Sequence, residues 1–527
     1  MSVRNIFVIT SIVSVLAVII ISFFWKSILW SFLIIIPLIL IGIWDITQTK
    51  HALLRLYPVI GHMRYIIESI RPEIQQYLIE SDIDGRPISR EFRSLVYRRS
   101  KGNRDTIPFG TLFNTYDDGY EWMGHSIYPA HIEMRNLRVR FGGTDCTQPY
   151  EASPLNISAM SFGSLSKTAI KALNRGAQKG GFAHNTGEGG VSPYHLEPGG
   201  DLIWQIGTGY FGCRNKEGGF DPDDFKQTAT LDNIKMIEIK LSQGAKPGHG
   251  GILPSEKLTD EIAKIRNVPM GEDVLSPSGH SEFSDPKGLL EFVKRLRELS
   301  GGKPVGFKLC VGRKSEFLSI CKAMIDTGIR PDFITVDGGE GGTGAAPVEL
   351  TNSVGTPLRE GLSFVHASLV GFGLRDEIRL IAAGKVYSAF HMIRTMALGA
   401  DTINMARGMM LALGCIQSRS CNTDHCPTGI ATQNPDRYLA LDVTDKSERV
   451  ARFHEANITH LIELLEAAGI HTLEEIKPHL LMRRIDNQTV KSFAELYPQL
   501  TPGCLLESKT TPEDWCADMD LASVNRW

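Results

Sequence analysis

Cys415, Cys421 and Cys426 lie within twelve residues of one another, and Pro427 follows the last of them. Thiolates bunched this tightly bind soft metal, and a Cys-Pro pair closing such a run is a feature of iron–sulfur loops. No fourth cysteine lies at the usual short spacing, so the run predicts a three-cysteine [3Fe–4S] cluster rather than a four-cysteine one. A zinc site completed by His425 is one alternative. Three unrelated buried thiols are another, although the loop offers few apolar positions to bury them. The other cysteines (146, 213, 310, 321, 504 and 516) are scattered singly. That pattern reads as packed thiols in a reducing compartment.

A second chemical set emerges from strand parity. In Met236-Ile-Glu-Ile-Lys240 the apolar Ile237 and Ile239 alternate with Glu238 and Lys240. If the apolar pair faces covering helices, Glu238 and Lys240 face inward. In Gly306-Phe-Lys-Leu-Cys310, Phe307 and Leu309 likewise point out and Lys308 points in. Buried lysines are costly unless something anionic meets them, either a ligand or an inward carboxylate such as Glu238.

The elements that must position these groups are legible. From residue 154 onward β-branched runs alternate with amphipathic stretches. The expected strands are 155–159, 181–185, 202–205, 236–241, 305–309, 333–336, 379–383 and 402–406. Helical stretches such as 167–179, 286–299 and 388–398 lie between them. Eight strands with crossover helices predict an α/β fold, a (β/α)8 TIM barrel, with an open doubly wound sheet as the alternative. Glycines crowd the loops after the strands: Asn185 to Gly190, Asp337 to Ala345, Gly384-Lys385, and Arg407-Gly408. The loops after the seventh and eighth strands are the usual phosphate site of this fold. Glu188, among the glycines of the second loop, is expected at the barrel mouth. Mononucleotide phosphate site, inward lysines and cysteine loop together point to a flavin barrel wired for single electrons.

The first fifty residues differ in kind. Ile6 to Trp25 is apolar and uncharged, Lys26 and Ser27 interrupt it, and Ile28 to Trp44 is apolar again. These runs predict a transmembrane hairpin of two helices, with Trp25, Trp30 and Trp44 near the interfaces. A cleaved signal peptide, or one anchor with an interfacial segment, are the alternatives. Arg4 precedes the first run and Lys50, Arg55 and Arg64 follow the second, whereas only Lys26 lies between. The positive-inside rule then puts both ends, and the catalytic domain, in the cytoplasm. Segment 50–150 is polar and mixed. Its basic residues Arg90, Arg93, Arg98, Arg99, Lys101 and Arg104 read as a solvated face, or as a patch drawn to anionic headgroups. The formal net charge of −3 gives no sign of a nucleic-acid partner. The expected division is 1–49 hairpin, 50–150 connecting region, 151–435 barrel with the cysteine loop at 415–426, and 436–527 helical extension.

Five segments carry a resemblance: Ser158 to Ser166, His184 to Gly190, Glu238 to Gly248, Asp337 to Ala345, and Cys415 to Gln433. Together they resemble the FMN-binding synthase domain of glutamate synthases. The resemblance implies FMN and a [3Fe–4S] cluster on Cys415, Cys421 and Cys426. It implies that Met160, Ser161, Gly163 and Gln205 line the flavin, with Lys240 at its N1–C2 edge and Lys308 among the cofactor contacts. Gln243 and Lys246 would flank ring and substrate, and with Glu188 and Lys240 would form the catalytic set. Gly339, Gly341, Gly342, Gly384, Lys385, Arg407 and Gly408 would hold ribityl and phosphate. The implied reaction is reductive amination of 2-oxoglutarate with ammonia to glutamate, using electrons from ferredoxin or another donor. The family's glutaminase and β-helix domains have no counterpart in this sequence, so ammonia is expected from solution or from a separate glutaminase subunit. A related barrel acting on another imine, as in N-methylglutamate formation, and a non-catalytic electron-transfer subunit are the competing readings.

Overall fold

Eight parallel strands close on themselves in strict sequence order: β1 (Leu155–Ile157), β2 (His184–Asn185), β3 (Leu202–Ile206), β4 (Ile234–Lys240), β5 (Val305–Leu309), β6 (Phe333–Asp337), β7 (Arg379–Ala383) and β8 (Thr402–Met405). β8 pairs with β1, and β4 with β5, completing the barrel. The expected TIM barrel is what forms, and every expected strand is present. The computed structural model describes residues 2–133 and 137–527. It divides into two compact units, Met1–Arg90 and Glu91–Trp527.

In the larger unit the crossover helices start and stop where side chains satisfy their ends. Ser166 caps Lys167–Gly180 by accepting from the Ala169 amide, and left-handed Gly181 ends it. Asp285 caps Pro286–Leu299 with proline in the first turn, and Ser388 caps Ala389–Ala397. The hairpin Val139–Phe141 with Tyr150–Ala152 plugs the barrel floor. There Phe141 and Ala152 pack with Ile203, Met236, Phe333 and Ile381. The extension after the barrel is helical first, then mixed. Helix Val443–Ala468 lies on Lys167–Gly180 at Gly176, where a Cβ would come within 2.8 Å of Val450 Cβ. Further on, Leu481–Arg484 pairs with Glu121–Met123 and Val490–Ser492 in one antiparallel sheet. Segments from both sides of the barrel therefore share a sheet, a pairing too distant in sequence for local patterning to reveal.

The basic run on Arg90–Lys101 is less solvated than expected. Arg93 is buried, and Arg99 donates to Asp105 at 2.8 Å and to Asn457 Oδ1 at 2.8 Å. Tyr97 donates to the Cys415 carbonyl at 2.6 Å. The helix is a brace for the cysteine loop, and its arginines are partly structural.

In the smaller unit, α1 (Val3–Ser22) and α2 (Phe32–Thr47) are joined by the 3-10 turn Lys26–Ser31. α1, and α2 together with the turn before it (Lys26–Thr47), are each long and apolar enough to cross a bilayer, and their apolar side chains are largely exposed. A further helix, α3 (Gly61–Ile74), follows.

Candidate active site

Inside the barrel the parity argument holds. Glu238 is fully buried and accepts from Asn185 Nδ2 at 2.8 Å, Gln205 Nε2 at 2.6 Å and Thr335 Oγ1 at 2.6 Å. This neutral network fixes the carboxylate one layer below the mouth. Lys240 and Lys308 are register partners across β4 and β5, so two ammonium groups sit side by side. Neither lysine uses Glu238 as its closest anion. Lys240 Nζ meets Glu188 Oε1 at 2.6 Å, and Lys308 Nζ meets Asp337 Oδ2 at 3.2 Å. Burial alone would lower the pKa of Lys308, but Asp337 and Glu238 outweigh it and hold the ammonium above its ordinary value.

Glu188 is reached by three cations. Burial pushes its carboxyl up, but Lys240, Lys246 and Arg266 together pull it below the ordinary range. Gly207 makes room for this side chain, since a Cβ there would lie 2.8 Å from Glu188 Cβ. Lys246 is buried, and desolvation lowers its pKa to about 8. Glu188 resists that shift and Lys240 adds to it. His280 bridges Tyr210 and the Lys240 carbonyl, and burial drops its pKa to about 4, so it is neutral. The loop 275–282 thus reaches the mouth through His280.

A cavity opens over the strand ends between the loops after β1, β4, β6, β7 and β8. It is lined by Gln243, Lys308, Gly341, Gly342, Gly384, Lys385 and Arg407. Asp337, at the start of the glycine segment after β6, also lines it, as do Tyr387 and Asn404, which carry no sequence signal of function. Gln243 Nε2, Tyr387 Oη and Asn404 Oδ1 are buried there without a hydrogen-bond partner. Buried polar atoms without partners cost free energy. Three such atoms from three elements, aimed at one cavity, fit a polar ring system with its own donors and acceptors. Gly384 and Lys385 have φ of 154° and 38°, a backbone turn at the end of β7, and both line the cavity with Arg407. Arg407 donates to the Glu340 carbonyl at 2.9 Å, fixing the glycine loop after β6.

The remaining site candidates are not in its lining. Met160 and Ser161 form the loop after β1, against which Gly187 packs: a Cβ on Gly187 would lie 2.8 Å from the Ser161 amide. Gly163, with φ of 104°, sits beside Arg266. Gly339 donates to the Thr356 carbonyl, and Gly408 lies against Met405. Gln205 is occupied with Glu238.

Cys415, Cys421 and Cys426 share a loop with unusual backbone. Gln417, Arg419 and Asp424 all have φ near 58°. Burial pushes the Cys415 thiol up to about 12 and also raises Cys421. Cys426 goes the other way: burial raises it, but Thr428 and the amides of residues 428, 430 and 431 outweigh that and favour the thiolate. Among the described residues no three His, Cys, Asp or Glu side chains converge on a single ion position. Lys257, buried between loops, donates to the carbonyls of Ser164, Cys421 and Ala431 at 2.8, 3.3 and 3.3 Å. A Cβ on Gly344, in the glycine loop after β6, would lie 3.9 Å from Cys421 Cβ. The cysteine loop thus touches two of the loops around the cavity.

Cations, carboxylates and a polar cavity gathered over the carboxy ends of the strands define a barrel enzyme. Residues 133–471 match the conserved region in glutamate synthase, and the chain belongs to that family of oxidoreductases. It is 37% identical over 503 residues to the glutamate synthase large subunit-like protein YerD of Bacillus subtilis, covering 87% of this chain and 95% of that protein. It is 36% identical over 327 residues to the archaeal glutamate synthase (NADPH) of Methanocaldococcus jannaschii, covering 62% of this chain and 61% of that relative. Among solved structures, a mutant flavocytochrome b2 with pyruvate bound aligns with 81% of this chain and 94% of its own, at 15% identity and a TM-score of 0.44.

Proposed function

We propose that the chain is an FMN- and [3Fe–4S]-dependent oxidoreductase of glutamate synthase type that aminates 2-oxoglutarate to glutamate with ammonia. The observation that carries this reading is the cavity in which Gln243, Tyr387 and Asn404 present unpartnered polar atoms beside Lys308. FMN would be held by those groups, with the backbone of Gly341, Gly342, Gly384 and Lys385 and with Arg407 toward its phosphate. When bound it supplies the hydride that reduces the imine carbon. The cluster reading rests on the spacing of Cys415, Cys421 and Cys426 in one loop closed by Pro427.

The protein's own groups would do the rest. Lys240 and Lys246 attract the substrate's carboxylates to the mouth, and Glu188 keeps both ammonium groups in place. Lys246, with a pKa of about 8, can give a proton at neutral pH. That proton helps the carbinolamine oxygen leave as water, and a second proton completes the amine. Overall 2-oxoglutarate, ammonium, two electrons and two protons give glutamate and water. The electrons come from ferredoxin or a comparable single-electron donor through the cysteine loop. The helices α1 and α2 would anchor the enzyme as a membrane hairpin, with the barrel in the cytoplasm.

The test is reoxidation of the chemically reduced holoprotein. Added 2-oxoglutarate with ammonium should return the flavin absorbance and yield glutamate. Reoxidation with methylamine in place of ammonium, and not with ammonium, would reassign the chain to N-methylglutamate formation. No reoxidation with any oxo acid and amine would leave an electron-transfer role.

A further inference from the structure

We infer that helix α3, Gly61–Ile74, is an interfacial helix that lies along the lipid surface beside the hairpin. This rests on the reading of α1 and α2 as membrane spans, and concerns a segment that carries no apolar run of its own.

Met63, Ile66, Ile67 and Ile70 are 59%, 59%, 55% and 45% exposed. At helical spacing they fall, with Ile74, in a stripe about 100° wide. Glu68 and Ser69 lie on the other side. Arg64 and Arg71 flank the stripe next to Ile67, the position from which long cationic side chains reach headgroups while their stems cover apolar surface. An uncovered stripe of large aliphatic residues this long is unusual on a soluble protein.

A hydrogen-bond clamp makes lipid the occupant. Asp45, buried in the last turn of α2, accepts from the Val59 amide at 2.8 Å and is 2.8 Å from His62 Nε2. Gly61 lets this junction close, because a Cβ there would sit 2.9 Å from Leu54 Cδ2. The amino end of α3 is therefore pinned to the end of a span, one residue from Trp44, an exposed indole where interfacial indoles belong. From that depth, a helix of 14 residues is about 21 Å long. Running along the interface it buries its stripe in the acyl boundary; standing away from it, the stripe stays in water.

The experiment uses the full chain in vesicles of phosphatidylcholine with phosphatidylglycerol. A nitroxide is attached through a genetically encoded ketone side chain, leaving the nine cysteines untouched. Labels go singly at Met63, Ile67, Ile70, Glu68 and Ser69, with Val13 and Leu40 reporting on the hairpin. Collision with oxygen, which concentrates in lipid, is compared with collision with a water-soluble nickel chelate. Labels at Met63, Ile67 and Ile70 should favour oxygen, and those at Glu68 and Ser69 nickel. If all five favour nickel while Val13 and Leu40 favour oxygen, the interfacial helix is wrong and the hairpin stands. If Met63, Ile67 and Ile70 are shielded from both reagents, protein covers the stripe and the inference is overturned. If Val13 and Leu40 also favour nickel, the hairpin reading fails and takes the inference with it.

Discussion

Glu188→Gln should move the alkaline limb of the pH–rate profile downward, and Lys240→Met should move it upward. The pKa of Lys246, about 8, reflects burial first, with Glu188 raising and Lys240 lowering it. If the Lys246 ammonium is the proton donor, turnover falls as pH rises through that value. A charge within about 4–6 Å moves a pKa by roughly 1–3 units. At a mouth open to substrate we take the low end, about one unit, or ~1.4 kcal/mol. Loss of the Glu188 charge then brings the limb from about 8 to about 7, and at pH 8 the protonated fraction drops about fivefold. Loss of the Lys240 charge shifts the limb the other way. The assay is stopped-flow reoxidation of the reduced holoenzyme by 2-oxoglutarate and ammonium from pH 6 to 10, each variant normalised to its own plateau. A limb that stays put in both variants, or moves in the same direction in both, would refute the assignment. The same depressed pKa carries a sign for stability. Between about 8 and the ordinary 10.5 the unfolded chain binds the proton and the folded chain does not, so the contribution of Lys246 to stability increases as pH rises through that window.

Lys240→Ala should retain FMN and lose about 100- to 1,000-fold in turnover, since a cation beside the reacting centre is removed; unchanged turnover would make the Lys240–Glu188 contact structural only. Cys421→Ser should leave the flavin spectrum intact and remove iron and acid-labile sulfide, measured by metal analysis; a wild-type protein containing zinc and no sulfide would overturn the cluster. Lys257→Met strips a buried cation from beside Cys421 and Cys426, which makes the cluster harder to reduce, so its midpoint in a redox titration followed by electron paramagnetic resonance should fall; the same midpoint in the variant would limit Lys257 to holding carbonyls.

The barrel was legible because its strands alternate cleanly with amphipathic helices, and because β4 and β5 alternate apolar with charged residues. That alternation correctly turned Glu238, Lys240 and Lys308 inward. It could not say which carboxylate meets which lysine, because pairing depends on loops that fold over the mouth. Glu188 was expected there from its place among glycines; Asp337 opens the glycine segment after the sixth strand, but nothing in that segment marks it as the partner of Lys308. Asn404 and Tyr387 gave no signal at all, since single polar residues near strand ends are common, and only burial without a partner marks them. Lys257 was hidden in an undistinguished loop, and its three carbonyl partners come from segments between 93 and 174 residues away in sequence. The helix Arg90–Lys101 misled for a related reason. Its arginines pattern like a solvated surface, but Arg99 faces Asn457 across 358 positions.

The charge arrangement at the mouth bears on what the site accepts. Lys240 and Lys308 are cross-strand neighbours, and like charges directly opposite are destabilising. The fold answers with one carboxylate apiece, Glu188 from the loop after β2 and Asp337 from the end of β6. Two more cations, Lys246 and Arg266, reach Glu188 as well, and Glu238 below is already satisfied by three neutral donors. Buried His280 adds no charge. Lys240, Lys308, Lys246 and Arg266 thus meet Glu188 and Asp337 at the mouth, with Glu238 turned to the barrel interior. Burial lowers the pKa of Lys246 and of Arg266, which marks them as cations held short of full compensation. A neutral substrate would leave that excess unrelieved. An anionic substrate would relieve it. Under the proposed function, that is the polarity a 2-oxo acid supplies and an uncharged substrate does not.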